Sequence, residues 1–119
     1  MSYDGYRVKT ASDPQVYVVI DNQKCYIPNP GTYNNLFENW NDIQTLTPAE
    51  LNGIPTGTPL TSGSVLAKGT FAPVYLITNG QKRHVKSQET MDKYDFAWNK
   101  IVSTPDVILD SIPDGSDII

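Results

Sequence analysis

The chain predicts an α+β fold built from two tandem units of about 58 residues, each a β-hairpin with short strands and one or two short helices, packed about an approximate twofold axis. Three observations predict it. Nine Pro, eight Gly and seven Tyr in 119 residues favour short elements and many turns. A hydrophobic share of 39% with 18% charged residues is too apolar and too weakly charged for a disordered tail. The chain also repeats itself.

Sliding the sequence by 58 positions lays residues 16–60 on 74–118 without a gap, and 12 of those 45 pairs are identical. Chance supplies roughly three at average residue usage. Val16 and Tyr17 fall on Val74 and Tyr75, Gln23 and Lys24 on Gln81 and Lys82, and Trp40 on Trp98. Ile54, Pro55 and Gly57 fall on Ile112, Pro113 and Gly115, and in the lead-in Gly5 falls on Gly63. The units run 1–60 and 61–119, with residues 58–64 as the join. A unit of that size buries little apolar surface alone, so one compact domain with a shared core is expected.

Each unit opens with a short strand, residues 6–9 or 65–68. A hairpin follows. In the second unit Val74–Thr78 and Gln81–Val85 flank Asn79-Gly80, the pair that a type I′ turn prefers because both central residues need φ > 0. The first unit uses Asp21-Asn22. Asn29 then caps a helix with Pro30 at N1, and Ser87 caps Gln88–Tyr94. Short extended pieces follow at 43–46 and 101–103. Thr47-Pro48-Ala49-Glu50 reads as a capping box, with Gly53 as the stop, and Thr104-Pro105-Asp106 is expected to do the same work one residue out of register.

Two-residue turns set which side chains sit opposite each other. One hairpin face is Val16, Val18, Cys25 and Ile27, matched by Val74, Leu76, Arg83 and Val85, and is expected as core under the helix of its own unit. Arg83 fits there if its stem packs at an edge while its guanidinium reaches water. The other face carries Tyr17, Val19, Lys24 and Tyr26, matched by Tyr75, Ile77, Lys82 and His84. It reads either as the contact between the units or as an open aromatic patch.

The repeated pattern resembles one in tandem repeats of bacterial surface and secreted proteins. Val74-Tyr75-Leu76-Ile77, Gly80, Lys82-Arg83, Phe96, Trp98, Leu109, Pro113 and Gly115 match it well. Val16-Tyr17-Val18-Val19, Lys24, Trp40, Leu51, Pro55 and Gly57 match more loosely, and Cys25 departs at the Arg position. The resemblance implies an accessory, surface-associated binding or architectural role. It carries no catalytic motif and no defined ligand.

The residues themselves narrow the function. Nine Lys and Arg against thirteen Asp and Glu, a net charge of −4, give no polycationic face for nucleic acid. One Cys and one His cannot build a structural zinc site, and Cys25 has no partner for a disulfide. No nucleophile elbow, phosphate loop or dinucleotide fingerprint occurs, so a non-enzymatic protein without cofactor or metal is expected. The opening residues lack a basic and an apolar region, which predicts cytosolic synthesis with export or cell-surface action left open. No run is long enough to insert into a membrane.

The leading expectation is a lectin-like carbohydrate-binding protein with one site per unit, taking a glycan or glycoconjugate. The candidate site residues are Tyr17, Lys24, Tyr26 and Trp40 in the first unit and Tyr75, Lys82, His84 and Trp98 in the second. Each set offers aromatic stacking surface beside a few polar groups. For every one there is a plainer role. The two Trp read as core anchors, His84 as a partner of Tyr75, and Lys24 and Lys82 as charges guarding sheet edges. The alternative function is a structural or protein-interaction module, or a small defence toxin, with an exposed apolar patch or sheet edge that allows a homodimer.

Overall fold

The computed structural model describes residues 3–119; residues 1 and 2, at the start of the opening read as leaderless, lie outside them. The first half runs β1 (Arg7–Thr10), β2 (Tyr17–Ile20), β3 (Gln23–Tyr26), α1 (Pro30–Leu36), β4 (Gln44–Leu46) and α2 (Pro48–Asn52). The second runs β5 (Val65–Lys68), β6 (Val74–Thr78), β7 (Gln81–Val85), α3 (Gln88–Tyr94), a 3₁₀ turn at Trp98–Lys100, β8 (Val102–Ser103) and α4 (Asp106–Ser111). Two four-stranded sheets result, ordered β3-β2-β1-β4 and β7-β6-β5-β8. The fold is α+β and compact, 44 × 24 × 23 Å.

Both hairpins take the register that two-residue turns dictate. Tyr17 faces Tyr26 and Val18 faces Cys25, while Tyr75 faces His84 and Leu76 faces Arg83. All four turn residues have positive φ: Asp21 at 55°, Asn22 at 60°, Asn79 at 54° and Gly80 at 72°. That is the type I′ signature, whose twist matches the strands it joins. Asn29 and Ser87 cap α1 and α3 by accepting from the Thr32 and Thr90 N–H groups. Thr47 and Glu50 close the capping box on α2, and Gly53 ends that helix.

Thr104 does not repeat the Thr47 role. Its hydroxyl donates to the Val102 carbonyl, and Pro105 precedes α4 without a side-chain cap. Asp106 instead accepts from the Thr70 N–H at 2.9 Å, which ties α4 to the loop after β5.

The gapless 58-residue match also fails at one place. Arg7 pairs with Val18, whereas in the second sheet Leu66 pairs with Leu76. Val8 pairs with Gln44, and Ala67 with Val102. Strand β5 therefore corresponds to β1 at a spacing of 59, and everything after Val16 at 58. A shift of one residue turns a strand over, because side chains alternate between faces. Arg7 consequently enters the position that Leu66 fills in the other sheet.

The larger core cluster draws on both halves: Val16, Val18, Ile20, Ile27, Tyr33, Leu36 and Phe37 with Leu66, Leu76, Val85, Met91, Tyr94, Phe96 and Ile118. The first hairpin face is thus core, but the helices reach across rather than covering only their own sheet. Helix α1 holds the approach to β5: Thr32 accepts from the Gly63 N–H, and Asn35 donates to the Ser64 carbonyl. Helix α3 does the same before β1, where Lys93 pairs with Asp4 at 2.9 Å. Gly5 there, at φ 89°, leaves room for the Lys93 carbonyl, which would lie 2.8 Å from a Cβ.

In the first half the opposite hairpin face is neither the contact between halves nor an open patch, and in the second Tyr75, Ile77 and His84 are half-buried and Lys82 buried. Val8, Val19, Leu46 and Ile54 form a separate small cluster there in the first half, with Tyr17 and Leu51 packed against it.

Candidate functional site

Each half carries a groove at the open end of its hairpin. In the first, Tyr26 and Ile27 lie at the end of β3, and Pro28, Asn29 and Pro30 form the rim into α1. Pro14, Gln15 and Val16 close one side and Tyr33 and Trp40 the other, around about 340 Å³. The second groove is about 410 Å³ and is lined by Ala72, Pro73, Val74, His84, Val85, Lys86, Ser87, Gln88, Met91, Trp98 and Lys68. Adding 58 to each residue number of the first groove gives every lining residue of the second except Lys68.

The two Trp are not core anchors. Trp40 is 46% and Trp98 48% exposed, because Phe37 and Phe96, which precede them, take the core positions and stack on each other at 5.6 Å. Trp40 lies flat on Tyr33, with ring centroids 3.8 Å apart and an angle of 22°. Its indole nitrogen donates to Asn34 Oδ1 at 3.0 Å. Tyr33 is itself fixed from behind. Its hydroxyl accepts from Arg7 and donates to the Asn39 carbonyl at 2.6 Å. Burial pushes the Tyr33 phenol above its ordinary pKa, and the adjacent Arg7 charge opposes part of that rise. The first groove therefore has a rigid, preassembled aromatic wall.

The second groove keeps the Trp but changes its surroundings. Met91 stands where Tyr33 does and Asp92 where Asn34 does. Among the described residues the Trp98 indole nitrogen makes no hydrogen bond, and its ring stacks on no other aromatic ring. Among the described residues no charged side chain lines the first groove, whereas Lys68 and Lys86 line the second, beside the His84 imidazole.

The eight residues expected from the sequence divide accordingly. Tyr26 with Trp40, and His84 with Trp98, come together in the two grooves. Tyr17 packs on Tyr26 and Tyr75 on His84, each with ring centroids 5.7 Å apart, behind the groove-lining member of the pair. Lys24 and Lys82 are neither ligand contacts in these grooves nor bare edge charges. Lys24 Nζ donates to the Leu51 and Ile54 carbonyls at 3.0 and 2.8 Å, and Lys82 Nζ to the Ile112 carbonyl at 2.7 Å. Each ammonium thus satisfies carbonyls at the C-terminal end of a short helix, where the helix dipole also favours a cation.

Sequence reasoning missed Tyr33, Met91, Pro28, Lys86 and Lys68 as groove residues. Pro28 and Lys86 were visible as one aligned pair directly after the hairpin, the signal that could have found them. Burial pushes the Cys25 thiol up from its ordinary pKa, so it is not a poised nucleophile. Among the described residues no three His, Cys, Asp or Glu side chains converge on a point that could hold a metal, and no helix is long and apolar enough to cross a membrane. Comparison with protein-family models, with curated proteins and with solved structures finds no match to this chain.

Proposed function

We propose that the chain is a duplicated, non-enzymatic binding protein whose two halves, related by an approximate twofold, each present one carbohydrate site in the groove beside its Trp. The observation that carries this reading is the position-by-position correspondence of the two grooves, each walled by a half-exposed indole. A pyranose presents an apolar C–H face that lies on an indole, and its hydroxyls need only a few convergent polar groups. Asn29 and Gln15 offer them in the first groove, Ser87 and Gln88 in the second. Two weak sites on one chain gain avidity on a multivalent surface. The resemblance to repeats of bacterial surface and secreted proteins agrees with action at a cell surface.

The chain has only two Trp, and each lines one groove, so intrinsic fluorescence reports both sites. Titration with glycans is expected to shift emission saturably, with Trp40→Phe and Trp98→Phe each removing one component. Absence of any spectral change across a broad glycan panel, in the wild-type protein at high concentration, would overturn the reading.

A second reading, a protein-interaction module or small toxin, draws on one further observation. Phe71, Val102, Val107 and Ile108 are exposed in the second half, by 46% or more. Their counterparts include Gln44, Ala49 and Glu50 in the first. That reading expects self-association or a protein partner, and a strictly monomeric sedimentation profile at high concentration counts against the dimer.

A further inference from the structure

Resting on the reading of the grooves as sugar sites, we propose that they divide the ligand by charge: the Trp98 groove takes an acidic saccharide bearing a carboxylate or sulfate, and the Trp40 groove a neutral one. Most of the nine Lys and Arg of this net-acidic chain are already held by other groups. Arg7, Lys82, Arg83 and Lys93 are in ion pairs with Asp95, Asp114, Asp21 and Asp4. Lys24 donates to two carbonyls and Lys100 to the Asn34 carbonyl at 2.6 Å. Among the described residues that leaves Lys9, Lys68 and Lys86 without an ion pair, Lys68 donating only to the Gly69 carbonyl at 3.5 Å. Two of the three line the Trp98 groove.

Among the described residues no Asp or Glu lines that groove to neutralise them. Lys68 does feel Asp106, whose pKa it helps to lower, but that carboxylate is already held by the Thr70 N–H and side chain. His84 adds a ring nitrogen to the same groove, where the first has the Tyr26 phenol. The rim position Pro28 becomes Lys86, and Tyr33 becomes Met91, so the wall loses an aromatic ring as the rim gains a cation. An indole face with two ammonium groups outside any ion pair suits a sugar ring that carries an anion, because the stacking and the charge act on different parts of one ligand. The neutral groove, with proline and tyrosine in the same places, offers stacking and uncharged polar groups but no cation.

The other flank of Trp98 tests the assignment internally. It borders a second cleft of about 340 Å³ lined by Glu38, Asp92 and Asp95. A ligand seated there would show the opposite charge preference.

The experiment uses a glycan array on which uronate-, sialate- and sulfate-bearing saccharides are each printed beside their neutral counterpart. It is probed with the wild-type chain, Trp40→Phe, Trp98→Phe, Lys86→Gln and the double variant Lys68→Gln/Lys86→Gln. Trp40→Phe is expected to retain acidic glycans with about a tenfold preference over their neutral partners, weakening as salt rises from about 20 to about 200 mM. Trp98→Phe is expected to lose that preference while keeping neutral binding. The double lysine variant is expected to lose it with an unchanged melting midpoint, and Lys86→Gln, at an exposed position, to lose part of it. Equal binding of acidic and neutral partners by Trp40→Phe overturns the division by charge and leaves the two-site reading standing. So does acidic binding that survives the double lysine change, or a preference for cationic glycans. No glycan bound by the wild-type chain overturns both.

Discussion

Asp95→Asn separates charge from geometry at the join between the halves. Arg7 is 3% exposed, and its guanidinium lies 2.7 Å from Asp95 Oδ2, 2.8 Å from the Tyr33 hydroxyl and 4.6 Å over the Phe37 ring. Removing one partner of a fully buried pair costs about 3–5 kcal/mol, because the surviving charge is stranded. The Asp95 side chain is 59% exposed, however. Water already screens part of the attraction, and Asp42 Oδ2, 3.9 Å from the same guanidinium nitrogen, survives the change, which together reduce the expected loss to about 1–2 kcal/mol. Asparagine tolerates the left-handed φ of 56° that ends α3, so the helix stop survives. Arg7→Leu is the counter-test, since Leu66 holds the matching sheet position. Tyr33 would keep its bond to the Asn39 carbonyl, and the expected change is within about 1 kcal/mol of wild type. Urea denaturation of both single variants and the double one gives the cycle. The Asp95→Asn loss should vanish in the Arg7→Leu background. A larger loss for Arg7→Leu than for Asp95→Asn, or simple additivity, would refute this account of the buried charge.

Gly80→Ala is expected to cost about 1 kcal/mol in the same assay, because its φ is 72° while nothing lies within 4 Å of an added Cβ, so backbone strain is the whole effect. Glu50 is held below the usual carboxylate range by the Thr47 N–H and hydroxyl, with a further hydrogen bond from Tyr3. Since its folded pKa is depressed, its contribution is present above about pH 4.3, the unfolded value, and is lost as pH falls through the lowered one. Glu50→Gln should therefore flatten the acid limb of a stability-against-pH profile, and an unchanged limb counts against the capping box as its source. Trp40→Phe should lower stability by about 1 kcal/mol through the lost stack and hydrogen bond, and Trp98→Phe should leave it within about 0.5 kcal/mol. Thermal melting reads both.

Local signals carried most of the fold. Asn79-Gly80, Asn29 with Pro30, and Thr47 with Glu50 each satisfy a short-range requirement that needs no tertiary knowledge, and all three appear where the residues put them. The one-residue slip between β1 and β5 did not show, because Gly5 and Gly63 keep the 58-residue spacing and both begin their strands with a positive-φ turn. Only pairing with a neighbouring strand reveals which way the strand faces, and pairing is a long-range property. The setting of the two lysines is a long-range property as well. Lys24 and Lys82 look like solvated strand charges until the helix end that receives them, some thirty residues on, is brought alongside. The plainer role of the two Trp as core anchors fails because Phe37 and Phe96 fill the space beside Ile43 and Ile101.

Retention of Trp98 is the sharper clue to what the grooves do. In the first half, contacts explain Trp40: it rests on Tyr33 and donates to Asn34. In the second half Met91 and Asp92 replace those partners, and neither the stack nor the hydrogen bond is present among the described residues. If stability alone held the residue in place, loss of both contacts would have released an indole that is 48% exposed to become something smaller. Yet the Trp and the groove floor Val74 are the lining residues that stay identical between the halves, while the rim around them changes from proline and tyrosine to lysine and histidine. A platform kept without that stack or hydrogen bond, under a rim that varies in charge, is the pattern that the proposed sites require, with the platform meeting a common part of two ligands and the rim the part in which they differ.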